Sequence, residues 1–284
     1  MPSDLESARS QVRVLVLTGL GLNCEAETAQ GFRLCGAQAE LVHLADALDQ
    51  DATARLGQYH ILAMVGGFAF GDHLGAGVVY ANRLRCRAMD AFLQFVSNGG
   101  LVLGICNGFQ TMVKLGLVPG LDGNYSEQRA TLTANDRVGY RDAWVSVRAE
   151  EQSPCVWTRG LGRMDLPSRH GEGKFVAESP ELLERIERDR LVALRYVDAN
   201  NNPTQDWPAN PNGSANAIAG ICDPTGRLLG LMPHPDAFLY GFHHPDWPRR
   251  KLRGPVPELG DGIRLFMNGV DHAAQRLLGE TAKV

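Results

Sequence analysis

The chain has no long apolar run: nothing in its 284 residues approaches the roughly 20 consecutive apolar residues that span a bilayer. It has no excess of basic charge. Lys and Arg number 28 against 32 Asp and Glu, a net charge of −4, which leaves no electrostatic footprint for DNA or RNA. Its six cysteines (24, 35, 86, 106, 155 and 222) contain no Cys-x-x-Cys pair. The first ten residues carry Asp4 and Glu6 but no apolar stretch, which speaks against a secretory signal and reads as a flexible tail over 1–10. Scattered cysteines without an export signal point to reduced thiols in a cytoplasmic protein rather than a disulfide framework. The glycosylation triplets at Asn124 and Asn212 are discounted on the same ground. There is no internal repeat and no Gly/Ser-rich linker, so residues 11–284 read as a single domain. One basic cluster exists, Arg249, Arg250, Lys251 and Arg253; it reads as a solvated loop or as a patch for a phosphate or a partner.

What the chain does have is an ordinary globular composition, 44% hydrophobic and 21% charged, and a repeating alternation of patterns. Short runs rich in Val, Leu and Ile at 12–18, 39–43, 60–65 and 101–105 read as strands. Between them 24–34, 46–56 and 75–97 have helical spacing. Strand–helix alternation predicts a mostly parallel sheet with helices on both faces. After Pro119 the pattern changes: 130–133, 144–148, 191–197, 215–222 and 227–232 read as strands of an antiparallel extension, 179–188 as a charged helix and 200–213 as loop. Residues 260–279 read as a closing amphipathic helix.

The run Leu101-Val102-Leu103 leads directly into Gly104-Ile105-Cys106-Asn107-Gly108-Phe109-Gln110. Small residues on each side of a nucleophile let a chain turn sharply between strand and helix, as Gly-x-Ser-x-Gly does for serine. A helix over 107–115 aims its free N–H groups at the sulfur and favours the thiolate. Such a nucleophile needs a base, an orienting acid and oxyanion donors. His234 and Asp236, two apart at the end of an apolar strand and stiffened by Pro233 and Pro235, are candidates for base and acid; the other reading is a plain strand-end turn. Gly66, Gly67 and Phe68 offer backbone N–H groups that, with that of Asn107, fit an oxyanion; alone they would be a tight strand–helix turn. Gln110, one turn after Cys106, is either a hydrogen-bond partner for a polar substrate or an exposed helix residue.

Other candidates are weaker. Cys24 follows the first strand, either near the site or structural, while Cys35, Cys86, Cys155 and Cys222 read as small core fillers. His243, His244 and Asp246 match no standard metal spacing. Gly19-x-Gly21 lacks the third glycine of a dinucleotide turn.

Gly104-x-Cys106-x-Gly108-x-Gln110 with the distant His234-Pro235-Asp236 resembles the class I (triad-type) glutamine amidotransferases. Within that class the chain is most similar to the glutaminase subunits of phosphoribosylformylglycinamidine synthase. The segments that carry this are Gly21-Leu22-Asn23-Cys24-Glu25, the Gly66-to-Asp72 loop, the Cys106 heptapeptide, His170-Gly171-Glu172-Gly173, and Asn210-Pro211-Asn212-Gly213-Ser214 running on to Met232-Pro233-His234-Pro235, in order across about residues 12–236. The resemblance implies a flavodoxin-like α/β fold. It also implies hydrolysis of glutamine through a thioester, and delivery of ammonia to a synthetase subunit that uses ATP and Mg to make the amidine. A small bridging subunit is implied too, with no cofactor or metal in this subunit and no nucleic-acid or membrane partner. Two departures stand out. The family usually has Glu where Asp236 stands, and residues 237–258 are longer and richer in His, Pro and Arg, which suggests a surface insertion. Another class I amidotransferase, a related cysteine hydrolase, or a degenerate scaffold subunit remain as alternatives.

Overall fold

The computed structural model describes residues 4–48 and 51–281. In chain order the helices are α1 (Asp4–Arg9), α2 (Glu25–Leu34), α3 (Leu44–Ala47), α4 (Ala52–Leu56), α5 (Val78–Ser97), α6 (Asn107–Leu115), α7 (Pro180–Arg188), α8 (Trp247–Arg253) and α9 (Gly262–Thr281). The strands are β1 (Arg13–Thr18), β2 (Gln38–His43), β3 (Ile61–Met64), β4 (Leu101–Ile105), β5 (Ala130–Thr133), β6 (Arg141–Ala149), β7 (Arg163–His170), β8 (Lys174–Ala177), β9 (Val192–Tyr196), β10 (Ile218–Cys222) and β11 (Leu228–Leu231).

Nine strands form one sheet in the order β2-β1-β3-β4-β11-β10-β9-β6-β7. The first five run parallel and the rest pair antiparallel; β5 and β8 form a separate antiparallel pair. β3, β4 and β11 are buried along their whole length, as strands covered on both faces must be, and their unbroken apolar runs are the reason. The α2 helix packs on β1 and β2, and α5 packs against α4 and α6; right-handed crossovers, the rule for parallel strands, would set α2 and the α4–α5 pair on opposite faces. The α9 helix packs on α2, where Gly31 leaves room for the Phe266 ring. This is the expected α/β sheet with helices on both faces and an antiparallel extension.

Some expectations are corrected. Residues 4–9 are not a loose tail: they form α1, which lies on α9 and is tied there by Arg9 to Asp271 at 2.6 Å. Residues 1–3 lie outside the described residues. The helix expected over 46–56 is two short ones, α3 and α4; residues 49–50 between them lie outside the described residues. The helix expected to begin at 75 starts at Val78, because Gly75 and Gly77 both hold positive φ. Residues 237–258 hold short 3-10 turns and α8, which has no buried residue, whereas Phe238, Leu239 and His244 of the same segment are buried. Among the described residues no helix is long and apolar enough to cross a membrane.

Candidate active site

The carboxyl ends of the parallel strands meet at one point, the place where open α/β sheets bind ligands. β4 delivers Cys106, β11 delivers His234 and Asp236, the segment after β3 delivers Gly66 and Gly67, and the segment after β1 delivers Asn23 and Cys24.

Cys106 sits between β4 and α6 with φ 51° and ψ −104°. That conformation is sparsely populated for a residue with a side chain and costs about 1–3 kcal/mol. It persists because both sides are fastened: the Cys106 N–H donates to the Leu231 carbonyl at 2.8 Å and its carbonyl accepts from the Gln110 N–H at 3.0 Å. The flanking glycines are sterically required. A β-carbon on Gly104 would collide with Met112 Sδ, and one on Gly108 with the Met64 carbonyl oxygen. The thiol, 6% exposed, lies 3.5 Å from the Arg169 carbonyl of β7, toward which it donates.

His234 and Asp236 are buried beside it, 2% and 1% exposed. The His234 Nδ1 lies 3.3 Å from Asp236 Oδ1 and 3.5 Å from Oδ2, a long contact for a charge-assisted pair. The backbone aims the ring: the His234 N–H donates to the Pro167 carbonyl at 2.7 Å. Burial works against an imidazolium here, but the Asp236 carboxylate, helped by the Cys106 and Cys24 thiols, outweighs it and holds His234 well above its ordinary value. His234 thus keeps a proton readily, as the acid step of a thiol hydrolase requires.

The Gly66–Gly67 turn is shaped by the same neighbours. A β-carbon on Gly66 would stand 2.7 Å from His234 Cε1 and 3.2 Å from Cys24 Sγ. Gly67, at φ 141°, pairs with Leu22 in an isolated antiparallel bridge whose bonds run from Asn23 N–H to the Gly66 carbonyl and from Phe68 N–H to the Gly21 carbonyl. Phe68 therefore spends the N–H expected of it as an oxyanion donor. In such a narrow pair the Gly67 N–H points away from its partner. Asn107 opens α6, so its N–H belongs to the first turn, which has no acceptor within the helix.

Gln110 differs from both of its expected roles, while the Asn107 side chain, of which nothing was expected, shares its network. Both are buried and knit together: Asn107 Nδ2 donates to Gln110 Oε1 at 2.9 Å and to Asp72 Oδ1 at 3.1 Å, and Gln110 Nε2 donates to the Glu172 carbonyl at 2.5 Å. The Gln110 amide braces α6 against the β7–β8 turn, and is neither exposed nor turned to the pocket.

The pocket itself has a volume of about 70 Å³ and is lined by Asn23, Cys24, Gly67, Phe68, Cys106, Tyr140, Arg169 and His234. It admits an amide head group, not a large ligand. The half-exposed Phe68 and Tyr140 rings, 6.1 Å apart, stand at its rim. Arg169 and Tyr140 escape the sequence argument; Arg169 precedes the His170-Gly171-Glu172-Gly173 segment, while nothing around Tyr140 marks it. Cys24 lies in the pocket, its thiol pushed up by burial and partly offset by His234. Of the other cysteines, 35, 155 and 222 are buried as expected, but Cys86 is exposed on α5.

Two further motifs support the site from behind. His170 Nδ1 lies 3.1 Å from Asn135 Oδ1, and its Nε2 lies 3.4 Å from Asn212 Nδ2. Ser214 Oγ donates to Asn212 Oδ1 at 2.7 Å and accepts from the Phe175 N–H at 2.9 Å. This buried network fixes the connection from β7 to β8, and with it the Arg169 carbonyl. His244 packs its ring on Trp144 at 4.6 Å.

A CobB/CobQ-like glutamine amidotransferase domain matches residues 11–273 of the chain. The chain is 40% identical over 268 residues to the phosphoribosylformylglycinamidine synthase subunit PurQ of Dehalococcoides mccartyi, covering 94% of this chain and 99% of that one. The subunit of the same name from Methanococcus maripaludis strain C7 is 37% identical over 92% of this chain and 97% of that one; that from Archaeoglobus fulgidus is 33% identical over 93% and 98%. Among solved structures, a chain of PurLQS from Thermotoga maritima superposes with a TM-score of 0.66 at 24% identity, over 92% of this chain and 99% of that one, a likeness of fold.

Proposed function

The chain belongs to the CobB/CobQ-like glutamine amidotransferase family, in the branch of phosphoribosylformylglycinamidine synthase PurQ subunits, and from that premise we propose that Cys106, His234 and Asp236 hydrolyse glutamine and release ammonia for a synthetase partner. The observation that carries this reading is the strained Cys106 elbow sharing one buried pocket with the His234–Asp236 pair.

Cys106 Sγ gives its proton to His234 and forms a bond to the side-chain amide carbon of glutamine. The negative charge on the amide oxygen is received by the N–H groups of Gly67 and Asn107. His234 passes the proton to the amide nitrogen, the carbon–nitrogen bond breaks, and ammonia leaves a thioester on Cys106. Water, giving a proton to His234, then attacks the thioester; glutamate departs and the thiol is restored. Asp236 holds the ring and stabilises its charged form. None of these steps calls on a metal or organic cofactor.

Ammonia passes within a complex to the synthetase subunit, where ATP and Mg drive conversion of formylglycinamide ribonucleotide to the amidine. A small bridging subunit completes the assembly, which works in the cytoplasm. In the assembled complex, Cys106→Ala is expected to abolish glutamine-dependent product formation while leaving the reaction with free ammonia intact. Loss of both would count against the assignment. A glutamine-analogue electrophile should label Cys106 and no other cysteine.

A further inference from the structure

Hydrolysis as proposed uses His234 and Asp236 but gives no role to the second thiol in the pocket. Cys24 Sγ, a His234 ring nitrogen and an Asp236 carboxylate oxygen all lie within 4.8 Å of one another, and all three residues are buried. They come from two separate segments, after β1 and after β11, so the cluster is a product of the fold and not of a local turn. Within it, His234 Nε2 and Asp236 Oδ1 are buried atoms that make no hydrogen bond among the described residues. Buried polar atoms of this kind call for a partner.

We propose that Cys24, His234 and Asp236 form an inhibitory site for a thiophilic divalent cation, Zn²⁺ above all. The donor set is one sulfur, one imidazole nitrogen and one carboxylate oxygen, the mixture that suits a borderline-soft ion. Ligands about 2.0–2.3 Å from a tetrahedral zinc stand roughly 3.5 Å from each other; no two of these donors are more than 4.8 Å apart, and His234 Nδ1 and Asp236 Oδ1 already stand at 3.3 Å, so side-chain shifts alone close the site. Three protein ligands leave the fourth position open. The Cys24 proton is released to solvent as the thiolate takes the ion, and nothing is oxidised or reduced.

Occupancy blocks catalysis whichever nitrogen is used. If the ion takes Nε2, it consumes the lone pair that receives the Cys106 proton. If it takes Nδ1, it displaces the proton shared with Asp236 and forces the remaining one onto Nε2, which then cannot act as base. The ion therefore inhibits without needing the nucleophile as a ligand. This also gives the second thiol a distinct part: it turns a catalytic His–Asp pair into a three-donor site.

The test uses the full chain in a Cys86→Ser background, which removes the exposed thiol, with Co²⁺ as the spectroscopic probe and no glutamine present. One Co²⁺ per chain with a thiolate-to-metal charge-transfer band is expected in this background and in Cys106→Ala. The band should vanish in Cys24→Ala, and affinity should fall on the order of 100-fold. Cys24→Ser, nearly the same size, serves as the second variant, with thermal melts confirming that each folds. Zn²⁺ should displace Co²⁺ and should inhibit ammonia release from glutamine reversibly on chelation. Absence of the band in the Cys86→Ser chain, its survival in both Cys24 variants, or its loss in Cys106→Ala would overturn the proposal. Because the metal readout needs no turnover, its outcome is independent of whether glutamine is the substrate.

Discussion

A β-carbon at position 66 is the smallest change that would disturb the catalytic ring. Gly66 is not among the glycines that hold positive φ, so the obstacle to Ala is steric: His234 Cε1 at 2.7 Å and Cys24 Sγ at 3.2 Å. Gly66→Ala should therefore cost about 1–3 kcal/mol of stability by overpacking, leaving the chain folded, while moving the imidazole by a fraction of an ångström. A displacement of that kind costs about 100-fold in rate. Steady-state kinetics on glutamine should show the loss in kcat with KM little altered. Asp236 argues similarly through charge. Its carboxylate favours, against burial, the imidazolium that forms when His234 takes the Cys106 proton, so Asp236→Asn should lower kcat by roughly 10³-fold or more, with binding of a glutamine analogue preserved. The proposed catalytic pair Cys106 and His234 is legible because each sits in a short motif with a steric reason for its neighbours. Cys24 is not. Its place beside His234 depends on two loops crossing, and the Leu22–Gly67 bridge that brings them together has no local signal.

At the scale of elements, the strands that were legible are those buried on both faces, β1, β3, β4 and β11, whose apolar runs have only one solution in a layered fold. The two that escape are β7 and β8. β7 reads Arg163-Met164-Asp165-Leu166-Pro167-Ser168-Arg169-His170, with a proline in its middle; it is tolerated because β7 is the sheet edge, where a missing N–H breaks no ladder. β8 is four residues long, and what holds it is the polar network around His170 rather than its own pattern. That network has a pH signature. Burial, aided by the nearby positive His234, lowers His170 to about 4 from its ordinary 6.5. Above pH 6.5 the ring is neutral folded or unfolded, and the network's stability is fully present. As pH falls below 6.5 the unfolded chain takes up a proton that the folded chain refuses, so stability drains away until about pH 4, where the folded ring protonates too. The loss over that window should be about 3 kcal/mol. Urea melts at pH 7.5 and 4.5 should show it, and His170→Gln should start less stable but lose less between the two.

On the scale of the whole molecule, residues 237–258 are the part least explained by the need to build a sheet. The excursion is closed at its base: Tyr240 pairs with Leu259, and the Gly241 N–H donates to the Glu258 carbonyl at 2.9 Å. Replacing residues 242–257 with an Asn-Gly turn would join two segments that already lie antiparallel. What the fold loses is the His244 ring, 4.6 Å from Trp144 and 5.7 Å from Phe238, the Phe242 and His243 rings, 5.4 Å and 5.2 Å from Tyr240, and the Arg250–Asp165 contact at 3.2 Å. Aromatic contacts of this kind are worth about 1 kcal/mol each and an exposed ion pair less, so the shortened chain should fold, melt a few degrees lower, and retain whatever glutaminase activity the isolated subunit has, because no residue of the excursion lines the pocket. The α8 helix, with Arg249, Arg250, Lys251 and Arg253 and no buried side chain, is larger and more basic than a cover for two rings requires. If it contacts the synthetase partner, the shortened chain should bind that partner at least about tenfold more weakly, with a flatter dependence on salt. Sedimentation of the mixed subunits at two ionic strengths measures both. Unchanged affinity would reduce the excursion to a lid over Trp144 and Phe238.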